Sequence, residues 1–259
     1  MFDALRTVRG IVRSLRIYYG DRQHGVAMDR FYRQFVQPGD LVFDIGAHVG
    51  DRVAALRRLE ARVVAIEPQP ALVKTLRLLY GRDHKVSIEA AAVGRHPGSI
   101  ELILNLDNPT VSTVSTAFIA AAANAPGWAG EVWSKRIRVP LTTIDALITR
   151  HGVPAFIKID VEGFEAEVLA GLGQAVQALS FEFTLIQRDI ARACIERCST
   201  LGYARFNAIL GESKTFAHSD WIDANAVLRW LTDLPPDANS GDIYATVLTP
   251  AQAAARSSP

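Results

Sequence analysis

The most chemically specific pattern in this chain is Asp44-Ile45-Gly46-Ala47-His48-Val49-Gly50, followed 21 positions after Gly46 by Glu67 and then Pro68. A glycine at a strand-to-helix turn lets the backbone approach a ligand with no Cβ in the way, and Gly50 gives the same freedom where the next helix begins. A carboxylate at the end of the following strand is placed to accept hydrogen bonds from both hydroxyls of a ribose. Together these residues suit an adenosine nucleoside. A dinucleotide site normally shows G-x-G-x-x-G, because pyrophosphate needs tightly turned amides at a helix N-terminus. Here the spacing is G-x-x-x-G, and Asp44 repels a pyrophosphate but attracts the ammonium of a methionine moiety. The charge pattern therefore favours S-adenosylmethionine over a nicotinamide dinucleotide.

A second cluster lies in Ile157-Lys158-Ile159-Asp160-Val161-Glu162-Gly163-Phe164-Glu165. Alternation with period two puts Lys158 and Asp160 on one side of a strand and Ile157, Ile159 and Val161 on the other. A lysine inside an apolar strand is costly without a carboxylate partner, for which Asp160 and Asp44 are the candidates. Methyl transfer from a sulfonium is an in-line displacement that needs alignment, and a weakly acidic acceptor gains from a general base. Asp160, Glu162, Glu182 and His218 are the candidate bases, with Asp160 preferred for its strand-end position. The carboxylates of Asp160, Glu162 and Glu182 either bind Mg²⁺ or bind substrate hydroxyls with no metal. The second fits better, because magnesium sites usually combine few protein carboxylates with waters or phosphates.

These residues need a scaffold that brings strand ends together. From Leu41 onward short apolar runs alternate with amphipathic stretches, which predicts an α/β fold with a doubly wound, mostly parallel sheet and helices on both faces. Strands are expected over residues 41–45, 62–67, 86–93, 99–105, 156–160, 181–185, 203–210 and 242–248. Helices are expected over 52–59, from Pro70 to Leu79, from Thr142 onward, and over 165–178 and 189–201. Two irregular inserts, at about 107–138 and 211–240, are assigned to the substrate side. Trp128, Trp133, Trp221 and Trp230 fall in or beside them, and anchor loops more readily than they stack on sugar rings. Residues 1–39 read as an N-terminal helical segment, 40–250 as the main domain, and 251–259 as an Ala/Ser/Pro-rich tail expected to fray.

The sequence resembles the FkbM family of methyltransferases, within the class I (Rossmann-like) methyltransferase fold. The resemblance is carried by Val42-Phe43-Asp44-Ile45-Gly46-Ala47, Ala65-Ile66-Glu67-Pro68, Ala91-Ala92-Val93-Gly94 and, most specifically, residues 157–165. His48 departs from it, since the family more often carries Asn there. The resemblance implies a seven-stranded sheet and O-methylation of a sugar, glycolipid or glycosylated secondary metabolite. It also implies that Asp44, Gly46 and Glu67 hold the cofactor, that the backbone around Ala91 and Ala92 borders the adenine, and that Asp160 lies at the active-site mouth. An N-methylating Asn/Asp-Pro-Pro-Tyr/Phe motif is missing at that strand end, where Asp160-Val161-Glu162-Gly163 stands. Two other functions remain open on the same fold: a nicotinamide-dependent oxidoreductase, and a non-catalytic nucleoside-binding module.

Composition narrows the partners. With 49% hydrophobic and 21% charged residues the chain is not a disordered sequence, and a formal net charge of +1 gives no global field to recruit nucleic acid. No apolar run approaches the ~20 residues that span a bilayer. Arg6, Arg9, Arg13 and Arg16 interrupt any signal-peptide stretch, so a cytoplasmic protein is expected. They recur at helical spacing among Leu5, Val8, Val12 and Leu15. That describes either a helix packed on the domain with a solvated arginine face, or a peripheral contact with a membrane surface or anionic glycolipid. The segment before Asp40 is also a place for a subunit contact in a homo-oligomer. Cys194 and Cys198, four apart on one helical face, are badly placed for a disulfide and read as apolar fillers.

Overall fold

The computed structural model describes residues 2–249, so the expected tail at 251–259 lies outside the described residues. The chain opens with two helices, α1 (Phe2–Gly20) and α2 (Arg22–Tyr32). It continues through β1 (Leu41–Ile45), α3 (Asp51–Arg58), β2 (Arg62–Ile66), α4 (Pro70–Tyr80), β3 (Val86–Glu89), β4 (Ala92–Val93), β5 (Gly98–Asn105), α5 (Thr116–Ala122) and β6 (Trp133–Thr142). The second half holds α6 (Ile144–His151), β7 (Phe156–Ile159), α7 (Glu165–Ala170), β8 (Ala178–Thr184), α8 (Arg188–Thr200), β9 (Arg205–Leu210), α9 (Ala224–Asp233) and β10 (Ser240–Thr246).

The main sheet has seven strands in the order β3-β2-β1-β7-β8-β10-β9. β3, β2, β1, β7 and β8 are parallel, and only β10 runs against its neighbours. All five residues of β1 are buried, because a strand covered by helices on both faces has no solvent side. One face packs Val53 and Leu56 of α3 and Phe31 of α2 against Phe156 and Tyr244. The other packs Leu147, Val168, Ile195 and Val227 of α6 to α9 against Phe43, Ile157 and Phe181. Cys194 and Cys198 sit in this second core as free, fully buried thiols. The chain leaves β1 towards β2 on one side and pairs with β7 on the other, so the sheet reverses between them and opens a crevice at their C-terminal ends.

Several sequence expectations need correction. The run 86–93 is not one strand. β3 ends at Glu89, and Ala92–Val93 joins β6 and β5 in a separate three-stranded sheet of order β4-β6-β5. The insert at 107–138 is correspondingly less irregular than expected, since it contains α5 and the start of β6. The insert at 211–240 contains α9, capped by the Asp223 side chain on the Ala226 amide. The helix expected over 165–178 stops at Ala170, and β8 begins at Ala178 rather than Phe181. Among the described residues no helix is long and apolar enough to cross a membrane.

Candidate active site

Strand register builds the site in two rows. Asp44, Lys158, Ser180 and Tyr244 are neighbours across β1, β7, β8 and β10, and all are buried. Two residues nearer the crevice on the same face come Gly46, Asp160, Glu182 and Asp242. The Lys158 Nζ donates to Asp160 Oδ2 at 3.1 Å and to Asp242 Oδ1 at 2.8 Å. Asp160 is thus one expected partner, whereas Asp44 is not the other. Asp242 reaches the ammonium across β8, while both Asp44 carboxylate oxygens are buried and hydrogen-bonded to nothing. Burial pushes the Asp44 carboxyl up to about 7. Burial also disfavours the Lys158 charge, but Asp160 and Asp242 outweigh it and hold the ammonium protonated. In turn Lys158 and Arg52 overcome burial and keep Asp160 below its ordinary range.

At the end of β1, Gly46 has φ +86, and a Cβ there would meet the Asp160 carbonyl oxygen at 1.8 Å. Gly50, at φ +84, is the N-cap of α3. His48 also adopts positive φ, at 50°, a conformation that Asn and His tolerate better than most residues, which accounts for either type at this turn. The turn is tied to Glu67. Its Oε2 accepts the His48 N–H at 3.0 Å and its Oε1 the Gln69 N–H at 2.8 Å. Burial raises the Glu67 carboxyl to about 8 against the pull of those two amides. Burial lowers His48 to about 4, so its ring is neutral near pH 7.

These elements enclose a cavity of about 880 Å³, counting the open space at its mouth. Gly46, His48, Glu67, Pro68, Ala91, Ala92 and Asp160 line it. Asp44, Ala47 and Gly50 stand behind that wall. Of the candidate bases, Asp160, Glu162 and Glu182 meet at one end, and each offers an oxygen within 4.8 Å of the others. His218 does not join them. Its backbone carbonyl accepts from Asn207, and its ring packs edge-on to Trp230, outside the cavity. None of the four tryptophans lines the cavity. Trp128 and Trp133 pack on Phe118, Trp221 on Phe35 and Phe216, and Trp230 on Phe183, in the anchoring role that long loops favour.

The Methyltransferase FkbM domain matches residues 44–234. The chain belongs to the FkbM methyltransferase family. Its cofactor is S-adenosylmethionine, and a nicotinamide oxidoreductase is set aside. No curated protein matches the chain. Among solved structures, it is similar to a TehB-like SAM-dependent methyltransferase from Corynebacterium glutamicum, at 12% identity and TM-score 0.45, covering 90% of this chain and 92% of that one. It is also similar to precorrin-6y C5,15-methyltransferase from Geobacter metallireducens, at 14% identity and TM-score 0.41, covering 86% of each chain.

The donor set of this FkbM methyltransferase suits that cofactor. The doubly orphaned Asp44 carboxylate, behind the wall beside Gly46, would supply negative charge towards a methionine ammonium. Each Glu67 oxygen keeps a lone pair free for a ribose hydroxyl. Four contributors escaped the sequence reading. Asp242 anchors Lys158. Arg52, at the start of α3, contacts Asp51, Asp160 and Glu212. Tyr18 of α1 reaches the cavity wall and packs edge-on to His48. Thr110 lies within 3.4 Å of the His48 ring. Arg52 carried a signal, as the first cation after the glycine turn; the other three depend on tertiary contacts.

Proposed function

We propose that this FkbM methyltransferase methylates a hydroxyl of a sugar, and that within that class the acceptor is a glycolipid. The observation that carries the hydroxyl reading is the meeting of Asp160, Glu162 and Glu182 at one end of the cavity. An ionised carboxylate only accepts hydrogen bonds and a protonated one both donates and accepts, so a cluster of them at the acceptor end suits O–H groups, which also do both. When bound, the cofactor supplies a methyl group on a sulfonium, an electrophilic carbon. Asp160, locked by Lys158 and kept ionised, orients the hydroxyl and takes its proton as the O–C bond forms. The bound cofactor would keep the C–S electron pair on its sulfur. Glu182 and Glu162 converge on the same point as Asp160, which fixes the attacking oxygen in line.

The lipid part of the reading rests on α1. Its inner face carries Tyr18 to the cavity, while Leu5, Val8 and Val12 are exposed on the outer face beside Arg9, Arg13 and Arg16. An apolar stripe edged by arginines complements an anionic bilayer, and the helix that would lie on it also walls the site. The deciding experiment supplies methyl-labelled S-adenosylmethionine with sugar-bearing lipids and their delipidated glycans. A label that survives base and is recovered as an O-methyl sugar, with the lipid form preferred, is the expected result. Label released by mild base, as from a methyl ester, or found on an amine, refutes the hydroxyl reading.

A further inference from the structure

Not every buried carboxylate near the crevice is satisfied by the protein. Glu165 accepts the amides of Val161 and Gly163, Glu67 those of His48 and Gln69, and Asp242 the Lys158 ammonium. Glu162 lies in the same turn as Glu165, is only 6% exposed, and has no hydrogen bond or ion pair on its carboxylate. Glu182 has none either. A buried carboxylate with no donor is expensive unless a proton or a cation accompanies it.

We infer that Asp160, Glu162 and Glu182 form a binding site for one hard divalent cation of the Mg²⁺ or Mn²⁺ class. The sequence pattern favours hydroxyls without a metal, but it cannot show convergence, and convergence discriminates between the two. Carboxylates that hold separate hydroxyls of a sugar ring need to be spread along it. Here three carboxylate oxygens surround a single point, all within 4.8 Å of one another. Ligands of one Mg²⁺ or Mn²⁺ ion, at about 2.1 Å each, lie up to about 4.2 Å apart, so a small inward movement of the side chains closes the shell. Three protein oxygens leave positions for water and for the acceptor.

The Lys158 bond to Asp160 Oδ2 fixes the orientation of one ligand, as an outer-shell donor does. The proposal rests on the hydroxyl-methylation reading and refines it. A hydroxyl bound to the cation loses its proton more easily, so a weak base such as Asp160 suffices.

The test is a titration of the full chain with Mn²⁺ followed by electron paramagnetic resonance, with S-adenosylhomocysteine binding measured on the same samples by calorimetry. One Mn²⁺ per chain is expected, with affinity falling about tenfold or more in Glu162→Gln and in Glu182→Gln. Glu67→Gln should lose S-adenosylhomocysteine affinity and keep Mn²⁺. Without metal both glutamine variants should melt at or above the wild-type temperature, since each removes an unpaired acid, and Glu182→Gln, at the less buried position, guards against misfolding of the other. Absence of Mn²⁺ binding, or binding indifferent to both substitutions, overturns the site. If S-adenosylhomocysteine still binds in that case, the methyltransferase reading stands alone; if neither binds, both fail.

Discussion

Glu67 offers a test in which two properties of one carboxyl move in opposite directions with pH. Burial raises it from an ordinary 4.5 to about 8 in the unliganded protein. A group whose folded-state value lies above its unfolded value contributes stability that is full below about pH 4.5 and is lost as pH rises through about 8. The unliganded protein should therefore lose stability from this residue between pH 5 and 8. Nucleoside binding has the reverse sign, because two ribose hydroxyls donate to the ionised form. With a value of about 8, roughly 1% of the carboxyl is ionised at pH 6 and half at pH 8, so affinity should rise about 50-fold over that interval from Glu67 alone. Glu67→Gln removes the titration and leaves one backbone amide, of His48 or Gln69, facing an NH₂ group. Loss of charge-assisted acceptance should cost about 3 kcal/mol, or roughly 100-fold at pH 8. Calorimetry with S-adenosylhomocysteine across pH 6 to 8, in buffers of different ionisation enthalpy, reads both affinity and proton release. If the variant keeps the wild-type pH slope, Glu67 is not the ribose acceptor.

Three other outcomes are expected. Gly46→Ala forces a Cβ onto the Asp160 carbonyl at positive φ and should destabilise the fold by about 3 kcal/mol or more in urea titrations; a stable variant with normal cofactor affinity would show that the β1–β7 crevice is looser than described. Lys158→Met leaves the buried Asp242 without its cation and Asp160 with Arg52 alone, and should cost about 3 kcal/mol, part of which Asp242→Asn should restore in the double variant. Replacing Arg9, Arg13 and Arg16 together by Gln should weaken binding to phosphatidylglycerol vesicles about 100-fold in sedimentation assays while leaving S-adenosylhomocysteine affinity unchanged; vesicle binding that ignores these arginines would remove the lipid part of the proposed function.

What the sequence disclosed followed from strong local physics. β1 reads directly, because five consecutive buried residues ending in a glycine turn admit few other structures. The Glu67 position follows from the length of one strand-helix-strand unit. The run 86–93 was misread because Ala90-Ala91-Ala92 contains no Gly or Pro to mark the point where the chain leaves one sheet for another. β6 was hidden although Ile137, Val139 and Leu141 alternate, since Lys135, Arg136, Arg138 and Pro140 between them resemble a loop. Asp242 was out of reach for a different reason. Its approach to Lys158 depends on how β10 registers against β8, a relation between segments far apart in sequence. His218 failed in the opposite sense, as a titratable residue in a loop whose ring the fold turns towards Trp230.

The origin of each wall suggests how labour is divided within the site. Gly46, Glu67 and Asp160 sit at the ends of adjacent parallel strands, where sheet hydrogen bonds fix their spacing. Part of the remaining wall comes from elsewhere: Tyr18 from α1, Thr110 and Ser112 from the first insert, and Glu212 from the second. Glu212 and Asp160 share Arg52, so the second insert is coupled electrostatically to the preferred base. Arg52, helped by Lys214, draws Glu212 down to about 2, which keeps this bridge charged at any physiological pH. A change in either insert can therefore reshape the acceptor end and shift the Arg52 bridge without disturbing Gly46 or Glu67. On the proposed function, α1 and the inserts would tune the choice of acceptor around carboxylates that the sheet holds in place, whereas cofactor binding would rest on the sheet.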